Sequence, residues 1–158
     1  MNTLNVRIVK LPPMYVASYI GFGSSPEQIA WDKLLSWARP QGLLVDLAHH
    51  RLFGFNNPCP SVGSPNYGYE VWIVVDPQAV DPGEDIVIKE FEGGLYAVTE
   101  CVVPKGKFEV ITEAWRKLAA WREDSPYKSG RHQCLEESLA KVLPGTEFVL
   151  DLYLPIAD

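Results

Sequence analysis

The sequence predicts an α+β protein built from a duplicated unit, on three observations. The heptapeptides WDKLLSW at Trp31–Trp37 and WRKLAAW at Trp115–Trp121 share the frame Trp-x-Lys-Leu-x-x-Trp and use four of the five tryptophans in the chain. A strand-like run of Tyr and small apolar residues precedes each of them, MYVASYIGFG and LYAVTECVV. An aromatic-bearing run follows each at the end of its half, YEVWIVV and LDLYLPI. Internal repetition constrains architecture before any local propensity does. Two copies are too few for a solenoid and suit a pseudo-symmetric pair with a ligand cleft between the halves. The order is β-β-α-β-β twice within a single domain, residues 1–158, with repeat one over about 5–76 and repeat two over about 85–157.

Each element has a local reason. Asn5–Lys10 alternates as N-V-R-I-V-K, the pattern of a half-buried strand. Pro12-Pro13 interrupts it, and Met14–Ile20 resumes extended structure in aromatic and β-branched residues. Ser25-Pro26-Glu27-Gln28 starts a helix, with Ser at the N-cap, Pro at the first position and Gln at the third, a capping box. That helix should run to about Ala38, with Trp31, Leu34, Leu35 and Ala38 on one face, and stop at Pro40 and Gly42. Arg51–Phe55 reads as a short strand, and Asn56–Asn66, with Pro58, Pro60 and Pro65, as a loop. Tyr69–Val75 is almost wholly apolar or aromatic, as a central strand would be. The turn-rich stretch from Pro77 to Gly83 separates the halves.

The second half repeats the order. Asp85–Phe91 alternates as a strand, Gly93-Gly94 marks a turn or bulge, and Leu95–Val103 is the next strand. Phe108, Ile111, Trp115, Leu118 and Arg122 fall on one helical face, closed by Ser125-Pro126. His132–Leu139 and Phe148–Ile156 complete the unit as strands.

Composition narrows the function classes. The chain is 47% hydrophobic and 22% charged, ordinary for a globular domain of 158 residues. Fourteen basic against twenty acidic residues, net −6, leave no basic stripe, which argues against nucleic acid as a direct partner. No apolar run approaches the ~20 residues needed to cross a bilayer, so no membrane is expected. The N-terminus lacks the signature of a secretory signal, and a cytoplasmic address is the expectation. Cys59, Cys101 and Cys134 are scattered, and His49, His50 and His132 share no ligand spacing with them, so neither metal nor cofactor is expected. GFGSS at Gly21–Ser25 precedes a helix but lacks the Lys and spacing of a phosphate loop. No Gly-x-Ser-x-Gly elbow is present.

Four stretches, in order, carry a family resemblance: VRIVKLPPMYVASYIGFG, YGYEVWIVV, FEGGLYAVTE, and the closing CLEESL with FVLDLYLPI. Together they resemble the GyrI-like small-molecule-binding domain, also found as the effector domain of multidrug-sensing and AraC-type transcription regulators. The likeness covers about Val6 to Ile156 and looks like a stand-alone member. It implies two βαββ repeats forming one antiparallel sheet, both helices on one face, and a central groove for aromatic or cationic ligands. It also implies a glutamate of the penultimate strand reaching into that groove, and Cys134-Leu135-Glu136 matches its position. Ser138 stands where members often carry Tyr.

Glu136 is therefore the leading site residue. Alternation puts Cys134, Glu136 and Ser138 on one strand face and Leu135, Glu137 and Leu139 on the other, and either face could be the pocket face. Trp72 and Tyr153 occupy equivalent positions in the two halves, each sharing a face with an acid two residues earlier, Glu70 and Asp151. They read either as walls for a flat cation or as core aromatics. Trp31 and Trp115 lie on apolar helix faces, where aromatics are usually core, with ring edges available to a flanking groove. Phe108 and Tyr69 complete the candidate walls. Trp37 and Trp121, about 600° further round their helices, face away from the first Trp of each pair and should cover a sheet edge or pack under loops.

The leading function is binding of a hydrophobic small molecule, whether neutral or cationic, with Glu136 supplying charge. One alternative is hydrolysis of reactive electrophiles by Glu136 and Tyr153. Another is a protein-binding modulator of the gyrase-inhibitor kind, with the protein partner unknown.

Overall fold

The structure, a computed structural model, describes residues 4–57, 59, 61–139 and 146–158, with side chains in the last stretch from 148 onward. Pro58 and Pro60 of the expected loop lie outside the described residues. The fold is α+β, antiparallel strands with two main helices. The chain forms two compact units. One spans Pro13–Glu92, and the other joins the segment through Pro12 to Gly93–Asp158.

The Pro13–Glu92 unit contains β2 (Met14–Gly23), α1 (Pro26–Ala38), β3 (Leu52–Asn56), β4 (Tyr67–Val74) and β5 (Val87–Phe91). Its antiparallel sheet runs β3-β4-β2-β5. α1 packs on β2 and β4 through Ala30, Leu34 and Ala38; of the stripe read from the sequence, Leu34 and Ala38 are buried, Trp31 and Leu35 are only partly so, and Ala30 was not part of it. Below them lie Ala17, Leu52, Tyr69, Val71 and Ile73. Small residues at Gly21 and Ala30 let helix and strand approach closely, since a Cβ at Gly21 would sit 2.6 Å from the Pro26 carbonyl oxygen. The helix starts where expected but without the capping box: Ser25 makes no side-chain cap bond. Gln28, its intended reciprocal arm, donates instead to Asp32 at 2.7 Å along the helix. Tyr67 fastens the first turn from β4 by donating its hydroxyl to Glu27. Burial, first, and that carboxylate push the phenol up to about 12. The helix ends at Ala38 and continues into two short 3₁₀ turns, with Gly42 between them at φ 74°.

The second unit contains β1 (Arg7–Leu11), β6 (Gly94–Pro104), α2 (Glu109–Glu123), β7 (Lys128–Ser129), β8 (Leu135–Leu139) and β9 (Thr146–Ala157). Its sheet runs β1-β6-β9-β8, all antiparallel, and β7 pairs with the end of β9. α2 covers β6 and β9, with Leu118 fully buried over Ala97, Cys101, Leu150, Leu152 and Leu154. β7 was not expected from the sequence, being only two residues of pairing.

Strand pairing divides the chain differently from its sequence repeats. β1 hydrogen-bonds to β6, and β5 to β2, so the opening strand of each repeat belongs to the unit built around the other repeat's strands. The sharp breaks at Pro12-Pro13 and Gly93 release both opening strands.

Candidate functional site

Register decides which acid joins Tyr153. On β8 and β9, Leu135 lies opposite Tyr153, Glu136 opposite Leu152, and Glu137 opposite Asp151. Opposed residues of an antiparallel pair project to the same face. Glu136 therefore faces α2, where it accepts a hydrogen bond from Trp115 Nε1 at 3.1 Å. Burial raises the nearby Cys101 thiol, and the Glu136 charge adds to that. Glu137 faces the other way and accepts the Tyr153 hydroxyl at 2.7 Å. The sequence-derived pairing of Glu136 with Tyr153 is thus corrected: side chains of opposite strand parity cannot meet across a sheet.

The Glu137–Tyr153 bond is buried, with Glu137 7% and Tyr153 2% exposed. Tyr96 on β6 packs edge-on against Tyr153, ring centroids 5.6 Å apart at 81°. The Tyr96 hydroxyl donates to the Gln133 carbonyl at 2.9 Å. Burial raises its phenol above the ordinary range. His132 lies 6.3 Å from the Tyr96 ring and fills the space over Gly94, where a Cβ would meet the imidazole at 2.2 Å.

Three carboxylates form a row across this face. Asp151 lies opposite Glu137 on one side and Glu100 on the other. Asp151 is 5% exposed and pairs through Oδ2 with Arg7 from β1. Its Oδ1 is buried without a hydrogen-bond partner. Burial raises the Asp151 carboxyl; Arg7 opposes this, and the Glu137 and Glu100 charges add to it. Glu100 itself is exposed.

The Pro13–Glu92 unit carries an analogous acid in a different state. Glu70 is 1% exposed and accepts from Trp72 Nε1 at 2.6 Å, Ser18 Oγ at 2.7 Å, Lys89 Nζ at 2.7 Å and Asn57 Nδ2 at 2.8 Å. Burial pushes its carboxyl up, but these four donors outweigh burial and hold it below the ordinary value. Trp72 packs between Phe55, at 5.0 Å and 77°, and Phe91, at 5.3 Å. Glu70 and Trp72 do share a face, as alternation predicted, but this acid is already neutralised by Lys89.

The remaining candidates fall elsewhere. Tyr69 has the opposite parity to Glu70 and Trp72, so it packs under α1 against Gly54 and is core, not a wall beside them. Trp31 and Trp115 pack on the helix-side clusters of their own units. Phe108 is 52% exposed at the N-cap of α2 and touches Phe148. Trp37 donates to the Asp81 carbonyl at 2.8 Å, and Trp121 stacks on Tyr127, both loop contacts. Tyr96, Arg7 and Lys89 escaped sequence reasoning, and Glu137 stood there only on the alternative face of its strand. Glu137 alternates with two leucines, and nothing local reveals which face of β8 meets Tyr153. Among the described residues, no group of three or more His, Cys, Asp and Glu is placed to hold a metal ion. No described helix is long and apolar enough to cross a membrane.

No match is found among curated protein sequences. A hydrolase from Listeria innocua shares 14% identity and a TM-score of 0.67, covering 96% of this chain and 91% of that one. The EcmrR C-terminal domain shares 15% identity and a TM-score of 0.67 over 98% of both chains. SAV2435 bound to tetraphenylphosphonium shares 10% identity and a TM-score of 0.58, covering 98% of this chain and 94% of that one. At such identities the likeness is one of fold. The profile of the GyrI-like small molecule binding domain matches residues 4–157, and the chain belongs to that family of small-molecule-binding domains.

Proposed function

We propose that the protein binds hydrophobic, singly charged organic cations on the sheet face turned away from α2, with Glu137 selecting charge and Tyr153 and Tyr96 providing ring contact. The observation that carries this reading is the buried Glu137–Tyr153 hydrogen bond beside the unpartnered Asp151 oxygen. A carboxylate withdrawn from water attracts a cation far more strongly than one at the surface. Two aromatic rings next to it offer cation–π contact and apolar area at roughly 25 cal/mol per Å². Around Glu70 an internal cation, the Lys89 ammonium, already meets the buried acid. The tetraphenylphosphonium complex of the similarly folded SAV2435 supports this class of ligand.

The test is fluorescence or calorimetric titration with tetraphenylphosphonium and with neutral triphenylphosphine oxide. Glu137→Gln should weaken the cation by about tenfold or more, the scale of one charge-assisted contact, and leave the neutral ligand within about twofold. Equal loss for both ligands overturns the assignment.

A second reading is hydrolysis of strained electrophiles, favoured by the same bond and by the Listeria innocua hydrolase of similar fold. Glu137 would take a proton from water as its oxygen bonds to the electrophilic carbon. The released electron pair would take the Tyr153 proton. Turnover of an electrophile panel, lost in both Glu137→Gln and Tyr153→Phe, separates this reading from binding alone.

A further inference from the structure

We propose that the preferred ligand is an ammonium ion with at least one N–H, a protonated amine rather than a quaternary cation, and that it donates this N–H to Asp151 Oδ1. This ligand class rests on the binding reading above. Asp151 is 5% exposed. It projects on the same face as Glu137 and Tyr153, because Glu137 lies opposite it on β8 and Tyr153 lies two residues along β9. Arg7 occupies Oδ2, whereas Oδ1 is buried with no hydrogen-bond partner. A buried ionised oxygen without a donor is a costly state, and native folds keep few of them.

The side chains opposite Asp151 on the flanking strands cannot repair that gap. They are Glu137 and Glu100, which as carboxylates only accept. Glu70, the buried acid of the other unit, has no such gap. Asn57 donates to its Oε1, and Trp72, Ser18 and Lys89 donate to its Oε2. An ammonium N–H would satisfy Asp151 Oδ1 in the same way. A quaternary nitrogen offers only carbon-bound hydrogens and leaves the oxygen unpaired while keeping water out. Oδ1 makes no contact with solvent in the free protein, so the ligand must press in from the side where Arg7, its side chain 53% exposed, links Asp151 to the surface.

The experiment is calorimetric titration of the full chain at neutral pH with protonated dimethylbenzylamine and with benzyltrimethylammonium, which differ only in an N–H against an N-methyl group. Both carry one positive charge and one aromatic ring, so the binding reading alone predicts similar affinities. The protonated amine should bind about tenfold or more tighter, the net worth of a hydrogen bond to a charged group. Asp151→Leu should remove that preference, and a preference that persists in this variant overturns the assignment. Should Asp151→Leu fail to fold, Glu137→Leu decides the matter. Both cations weaken there; a surviving preference keeps the acceptor at Asp151, whereas its disappearance moves the acceptor to Glu137 and overturns the assignment. Equal wild-type affinity for the two cations means that a resident water alone meets Oδ1, which overturns the amine preference and leaves the binding reading intact. Binding of neither cation, nor of tetraphenylphosphonium, overturns both.

Discussion

The Tyr153 hydroxyl donates to Glu137 Oε1 at 2.7 Å, while Glu136, one residue earlier, accepts from Trp115 Nε1 on the other side of the same sheet. Adjacent acids thus serve opposite faces. One anchors a helix to its sheet, and the other stands among aromatic rings with a second buried carboxylate beside it. The distinction follows from the two-residue period of a strand and makes the neighbouring glutamates separable by mutation.

Glu136→Gln and Glu137→Gln should therefore differ in kind. Replacing Glu136 weakens one partly buried hydrogen bond to Trp115 and should cost about 0.5–1.5 kcal/mol of stability, while tetraphenylphosphonium affinity changes less than twofold. Urea denaturation beside a ligand titration measures both quantities. A larger affinity loss from Glu136→Gln than from Glu137→Gln would return the site to the α2 side.

The buried acids Glu70 and Asp151 should give stability profiles of opposite slope with pH. The donors around Glu70 hold its folded-state carboxyl below the ordinary value of 4.5, so its contribution is present above that pH and lost as pH falls through the depressed value. The deficit of Glu70→Gln should accordingly be largest at neutral pH and shrink in acid. Asp151 is raised above 3.8, so the folded state binds the extra proton and stability falls as pH climbs from about 3.8 through the raised value. Asp151→Asn, compared with wild type, should become relatively more favourable as pH rises. Thermal unfolding from pH 3 to pH 7 reads both slopes, and parallel slopes would contradict the geometry.

Gly54 should not tolerate a side chain. A Cβ there would lie 2.3 Å from the Tyr69 hydroxyl oxygen and 2.6 Å from two ring carbons, under α1. Gly54→Ala should cost about 1–3 kcal/mol, as overpacking does in a filled core. Adding Tyr69→Leu should recover part of the loss, because it removes the atoms that clash. Chemical denaturation of the single and double variants checks this, and additive losses would mean that the two positions do not share space.

Much of the architecture was legible in one dimension. The repeated Trp-x-Lys-Leu-x-x-Trp frame located both helices, and their apolar stripes identified Leu34 and Leu118 as fully buried contacts. Alternation in YEVWIVV correctly put Glu70 and Trp72 together, because strand parity is a local property. Helix ends and strand limits differed by only a few residues, since the Pro and Gly breakers that set them act locally.

By itself, then, the sequence determined the order of the main elements, the α+β class and the family likeness, all of which depend on neighbours along the chain. Tertiary structure alone decided that Glu137 and not Glu136 meets Tyr153, that Arg7 and Lys89 from the displaced opening strands neutralise buried acids, and that Tyr69 is core. Those outcomes depend on register between strands distant in sequence. A slip of one residue in pairing exchanges the two faces of a strand without altering its pattern of residues.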